Sequence, residues 1–141
     1  FHFFLNLKIY TLILFLLDSL VHQKQAWANL LTLIKFLMTA RENGFRVGGY
    51  GAAAKANTLL NFAGIRADLL PYIVDQNPAK QNKFMPGSRI PIVTEGHLKR
   101  DKPDYVVIMP WNLKDEIVSL LDYVRHWGGQ FVVPMPKLEI M

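Results

Sequence analysis

The sequence predicts an α/β domain: a parallel sheet of about four to five strands, flanked by helices and preceded by N-terminal helices. Three observations carry that expectation. Short apolar runs alternate with segments of helical periodicity, the order of parallel strands joined by right-handed crossovers. Residues 105–109 form an unbroken apolar run, as a strand buried on both faces requires. Finally, Gly49, Gly51 and Ala54 fit G-x-G-x-x-A where an apolar run gives way to a helical pattern. A fingerprint of that kind at a strand-to-helix turn makes the expected sheet Rossmann-like.

Taken in order, residues 1–22 form an apolar N-terminal segment, a helix or a linker, and residues 23–141 form the Rossmann-like domain. Asn6, Lys8 and Asp18 interrupt the apolar run, so it falls short of the roughly 20 apolar residues a spanning helix wants. Ala26-Trp27-Ala28 imitates a signal-peptidase site but lies far from that run. The sequence therefore argues against a membrane partner; a cytoplasmic location is the expectation, with which the absence of cysteine is compatible. Because the chain starts on Phe1, it is expected to be a fragment.

From 24 to 41, Trp27, Leu30, Leu31, Ile34, Leu37 and Met38 recur at helical spacing and predict a buried stripe. A strand is expected at 46–50, then a helix at 52–63 with Ala56, Leu59, Leu60 and Ala63 inward. Gly64 stands at its cap position. Strands follow at 69–74, ending before Asp75, and at 90–93, with at most a short helix at Glu95–Asp101. Residues 76–89 have neither period, and unstructured loops of that length are usually functional or disordered. After the strand at 105–109, Asn112 is placed to cap a helix whose buried stripe is Leu113, Ile117, Leu120, Leu121 and Val124. Gly128-Gly129 ends it, and Gln130–Val133 is the last strand.

With 51% hydrophobic and 19% charged residues in 141, this is one ordered domain rather than a disordered chain. Its net charge of +5 is scattered, which suits an anionic small molecule and points to no nucleic-acid partner. No cysteine is present, which excludes disulfides and thiolate zinc sites. The four histidines show no ligand spacing, so no metal is expected. His97 and His126 read as surface residues. Neither has the orienting partner a general base needs, and no catalytic residue is assigned.

In an open parallel sheet, ligands bind beyond the carboxyl ends of the strands, where strand order reverses. Three loops should meet there. The first carries Tyr50, Gly51, Ala52, Ala53, Lys55, Asn57 and Thr58, with Gly49 allowing the turn and Gly51 allowing close backbone approach. Its helix N-terminus offers unpaired N–H groups to an anion. The second carries Asp75, Lys80, Lys83, Pro86, Gly87, Ser88 and the cation Arg89; the third carries Trp111 and Asn112. Asp75 is either a ribose or base contact or a turn-forming residue. Lys55 is either a phosphate contact or solvated, and Trp111 is either a stacking surface or a core plug.

These residues also resemble a known family. Gly49-Tyr50-Gly51-Ala52-Ala53-Ala54-Lys55 and Asn57-Thr58-Leu59-Leu60-Asn61 are similar to the opening of the C-terminal domain of sugar C-methyltransferases. The likeness continues through Tyr72-Ile73-Val74-Asp75, Asn77-Pro78, Lys80-Gln81, Pro86-Gly87-Ser88, Ile90-Pro91-Ile92 and Pro103-Asp104-Tyr105-Val106. It closes with the run from Pro110 to Ile117, Gly128-Gly129 and Val133-Pro134. It covers about residues 44–137.

The resemblance implies a part of an S-adenosylmethionine-dependent enzyme that methylates nucleotide-linked keto-deoxysugars. The methyl donor and the catalytic base would belong to an upstream methyltransferase domain. This domain would help enclose the nucleotide-diphosphate sugar, binding without catalysing. Departures from the family pattern fall at Ala56, which stands for Gly and would add a Cβ near the ligand, and at Gln76, Ala79 and Asn82, which stand for Arg, His and Gly. Two other readings stay open at this point: an NAD(P)-binding domain of an oxidoreductase, and a non-catalytic oligomerisation module.

Overall fold

The computed structural model of the chain describes residues 2–141, with side-chain surroundings for residues 13, 14 and 16–141. The elements are α1 (His2–Glu42), β1 (Val47–Tyr50), α2 (Ala54–Ala63), β2 (Ile73–Val74), β3 (Ile92–Val93) and α3 (Glu95–Asp101). There follow β4 (Tyr105–Ile108), a 3-10 turn (Trp111–Leu113), α4 (Lys114–Leu120), a second 3-10 turn (Asp122–Trp127), β5 (Gln130–Val133) and β6 (Glu139–Ile140). They build a six-stranded sheet in the order β3-β2-β1-β4-β5-β6. The first five strands are parallel, and β6 is antiparallel to β5. The chain steps outward from β1 to β2 and β3, then returns to β4 on the other side of β1. The point of reversal therefore lies between the carboxyl ends of β1 and β4.

Alternation along the strands separates two cores. On one face Val107 and Val132 pack with Leu33 and Leu37 of α1 and Leu59 and Leu60 of α2. On the other, Val106, Ile108 and Phe131 pack with Leu98 of α3, Ile117 of α4 and Val124 of the second 3-10 turn. Both faces of the sheet are thus covered, which is why β1 and the Val106–Met109 run carry no exposed side chains.

Several expected elements differ in extent. The sheet has six strands rather than four to five, because Glu139–Ile140 pairs back on β5. Residues 69–70 do not join β2. Their amides turn back onto Arg66 O at 3.1 and 3.0 Å, and Pro71 has no N–H to give a ladder. In α1 the buried stripe is Leu30, Leu33, Leu37 and Ala40, whereas Trp27, Leu31 and Met38 are 49%, 52% and 47% exposed. Leu30 and Leu37 are common to the expected stripe and the real one, and Ile34 packs at its edge. The real stripe is rotated toward Leu33 and Ala40, away from Trp27, Leu31 and Met38.

The segment after β4 is not one helix. Leu113 N–H donates to Pro110 O at 2.8 Å, so Asn112 lies inside a 3-10 turn and caps nothing; neither that turn nor α4 has a side-chain cap. Leu113 and Leu120 are 43% and 51% exposed, which leaves Ile117, Leu121 and Val124 as the buried contacts. α2 and its Gly64 cap match expectation, with Gly64 left-handed at φ 68° and its N–H directed to Asn61 O and Leu60 O. Among the described residues no helix is long and apolar enough to cross a membrane, and no group of His, Asp or Glu could hold a metal.

Candidate functional site

At the reversal point the glycine turn is pressed between two neighbours. Gly51 adopts φ +95°, and a Cβ there would stand 2.5 Å from the Pro110 ring. Only glycine accommodates both the left-handed backbone and that approach. Gly49 is similarly constrained, since its Cβ would meet Ile73 Cγ1 at 3.0 Å. The fingerprint is therefore set by strand-to-strand closeness as well as by any ligand.

Asp75, at the end of β2, reaches across to this turn. Its Oδ2 accepts the Ala52 N–H at 2.9 Å and its Oδ1 accepts the Asn77 N–H at 2.8 Å. Lys80 closes the arrangement: its Nζ donates to Ala52 O at 2.9 Å and stands 3.8 Å from Asp75 Oδ2. Gln81 adds a bond from Nε2 to Asp75 O at 2.8 Å. The loop that follows β2 is thus tied to the glycine turn by side chains of both charges. Such charge-assisted bonds hold a loop more firmly than neutral ones.

The braced loops leave a cleft of about 350 Å³, lined by Ala52, Ala53, Asn57, Lys80, Lys83 and Pro86, with Phe84, Met85 and Ile92 among its apolar walls. The first turn of α2 opens onto it. The residue at the N-cap is Ala53, which has no side-chain oxygen, so the leading N–H groups of the helix are uncapped. Lys83 is exposed. Cation, uncapped amides and half-buried Asn57 converge on one concavity, and such a set can hold an anionic group.

The remaining sequence-predicted residues fall elsewhere. Lys55 lies with its Nζ 5.5 Å from the Trp111 ring centroid. Lys55, Thr58 and Trp111 line a neighbouring, more apolar cleft of about 480 Å³ with Leu30, Phe62 and Met135. Tyr50 is buried in the second core. Burial first, then the charges of Glu95 and Asp75, hold its phenol above its usual range. Gly87 is left-handed at φ +80° and packs against the Asn61 amide, which also donates to Pro86 O at 2.9 Å. Ser88 is buried, and its Oγ finds no hydrogen-bond partner within the protein. Asn112 is exposed.

Two sequence expectations need correction. Ala56 is fully buried in the first core, so its methyl points away from the cleft rather than toward a ligand. His97 is not a plain surface residue, since its ring stands edge-on to Tyr72 with centroids 4.4 Å apart. Gln76 and Ala79 are both exposed on the loop. Asn82 sits at φ 62°, a conformation that asparagine tolerates better than most residues other than glycine. Sequence reasoning missed Phe84, 64% exposed at the cleft. An aromatic following a cation inside a long unstructured loop was the available signal.

The C-methyltransferase C-terminal domain family matches residues 21–136 of this chain. Over 99 residues the chain is 34% identical to C-methyltransferase NovU of Streptomyces niveus, an alignment covering 70% of this chain and 24% of the relative. The chain spans about a quarter of the length of that relative.

Proposed function

Because the chain belongs to the family of C-methyltransferase C-terminal domains, we propose that it is the substrate-binding part of a sugar C-methyltransferase. The cleft between the glycine turn and the basic loop receives the diphosphate of a nucleotide-linked keto-deoxysugar. The observation that carries this reading is the convergence of Lys83, Asn57 and the uncapped amides of α2 on one cavity, with Lys80 in its wall held to Ala52 O and Asp75. Phe84 supplies a flat apolar face against which a base can stack.

Methyltransferases of this kind draw their methyl group from S-adenosylmethionine. The residues here do not fit that donor. A ribose is usually held by a free acid at the end of the second strand, but the Asp75 carboxylate is committed to bracing the turn. Each oxygen accepts a loop amide and Lys80 stands 3.8 Å from Oδ2, leaving few of its lone pairs for a ribose. In this reading the donor and the catalytic base belong to a methyltransferase domain that partners this one, and the protein acts in the cytoplasm. The same engagement of Asp75 speaks against an NAD(P)-binding domain, which would need that carboxylate for its ribose.

Titration calorimetry of the chain with thymidine diphosphate tests the proposal, with NAD and S-adenosylmethionine as comparators. Thymidine diphosphate alone should bind, and Lys83→Ala should weaken it about fivefold, the scale of one partly screened charge contact. Binding of NAD in its place, or indifference to Lys83→Ala, would overturn it.

A further inference from the structure

The outward side of α1 carries a second apolar pattern that the domain leaves largely uncovered, touching it only at Ile34 and Trp27. Ile13, Leu17, Leu20 and Lys24, then Trp27, Leu31, Ile34 and Met38, follow one another in alternating steps of four and three residues. That spacing is the a/d seam of a coiled coil, sustained over more than three heptads. Ile13, Leu17 and Leu20 are 45%, 52% and 53% exposed. The seam stays largely open alongside the body of the domain, where Leu31 and Met38 remain about half exposed. Ile34 is partly covered, and Trp27, 49% exposed, rests one side of its ring on Phe62 with centroids 4.9 Å apart. Core contacts are made instead by Leu30, Leu33 and Leu37, on a different side of the helix.

We infer that this seam pairs with the same seam on a second copy, as an antiparallel two-helix coiled coil. The register follows from the residues. Set antiparallel about the middle of the seam, every a position meets a d position. Ile13 stands opposite Met38, Leu17 opposite Ile34, and Leu20 opposite Leu31. The single polar seam residue, Lys24, then lies opposite Trp27, where an ammonium can rest on an indole face. In a parallel pair Lys24 would face its own copy, a like-charge contact that costs affinity. The contact is isologous, as closed two-fold symmetry demands. It also sends the two folded domains to opposite ends of the paired helices.

The size reaches the threshold for a biological contact. The seven apolar seam residues, flanked by Leu14, Leu16 and Val21 at 65%, 52% and 63% exposure, bury on the order of 1,000 Å² across two copies, the least that such a contact should clear and the size of a weak, reversible dimer.

Sedimentation equilibrium of the 141-residue chain tests this directly. The expected species is a dimer of two 16.2 kDa chains. Leu20→Glu and Leu31→Glu should each raise the dimer dissociation constant more than tenfold, while Ser19→Glu on the opposite side leaves it unchanged. The seam is solvent-exposed in the single chain, so circular dichroism should show the variants folded. Orientation is read by cross-linking in a chain without native cysteine. Ile13→Cys mixed with Met38→Cys should give the mixed disulfide, and each alone should give little. Self-cross-linked Ile13→Cys, or a dimer indifferent to both Glu substitutions, would overturn the proposal. So would a chain that stays monomeric, including one that floats with phosphatidylcholine vesicles and so assigns the seam to a lipid surface.

Discussion

The carboxylate of Asp75 accepts the backbone N–H of Ala52 at 2.9 Å, joining the end of β2 to the turn that follows β1. Its second oxygen holds Asn77 N–H at 2.8 Å, so one side chain sets the separation of the two loops that form the cleft. Asp75→Ala removes both acceptors. The Ala52 amide lies in a buried residue, and leaving such a donor without a partner costs about 1–3 kcal/mol. Urea denaturation should show a loss of that size, and hydrogen exchange should quicken at Ala52 and Asn77. Unchanged exchange at both amides would refute the bracing role.

A second prediction separates backbone strain from contact at the glycine turn. Gly51→Ala forces a methyl onto Pro110 Cδ and Cγ, each 2.5 Å from the built Cβ position, at a backbone of φ +95°. The expected cost is about 2–4 kcal/mol. Pro110→Ala deletes both of those ring atoms. In that background the same substitution should cost only the conformational part, about 1–2 kcal/mol. Equal costs in the two backgrounds would mean that the ring contact contributes nothing.

Much of the fold could be read from the sequence because its signals are local. The glycine turn, the Val106–Met109 run and Gly64 each announce themselves within a few residues, and each appears where expected. What the sequence hid depends on partners distant along the chain. Helical spacing in α1 offers two apolar faces, and only the position of the sheet decides that Leu33 is buried while Leu31 is not. β6 is two residues long and owes its existence to β5. Within the site, the loops were placed at one edge by topology alone. That Lys80 would turn onto Ala52 O, while Lys55 would lie over Trp111, depends on side-chain directions that spacing does not encode.

A third prediction concerns pH. The Tyr72 hydroxyl donates to Asp101 Oδ2 at 2.6 Å. Burial, then the hydrogen bond and charge of Asp101, push the phenol well above its usual value of 10.0, with Arg46 opposing. A folded pKa raised above the unfolded one means stability that is fully present below about pH 10 and lost as pH climbs further. Tyr72→Phe should therefore cost about 1.5–3 kcal/mol at neutral pH, the scale of a bond to a charged acceptor. Above about pH 10 the gap between the two proteins should narrow. Tyr123, raised by burial and then by its bond to Glu95, is common to both proteins and drops out of the comparison. A gap constant from pH 8 to pH 11, well inside the usual tyrosine range, would contradict the assignment.

The last prediction asks whether Ser88 serves the loop or a ligand. Its Oγ is buried without a hydrogen-bond partner in the protein, and the residue does not line the cleft formed with Lys83 and Asn57. A buried hydroxyl without a partner opposes folding, because it gives up its bonds to water and gains none. Ser88→Ala keeps the Cβ and deletes only that group, and Ala accepts the same turn. Thermal denaturation should register a gain of up to about 1 kcal/mol, and thymidine diphosphate affinity should be unchanged. A drop in affinity with no gain in stability would instead make the hydroxyl a ligand contact, and would shift the anion toward the turn that Asn61 holds at Pro86.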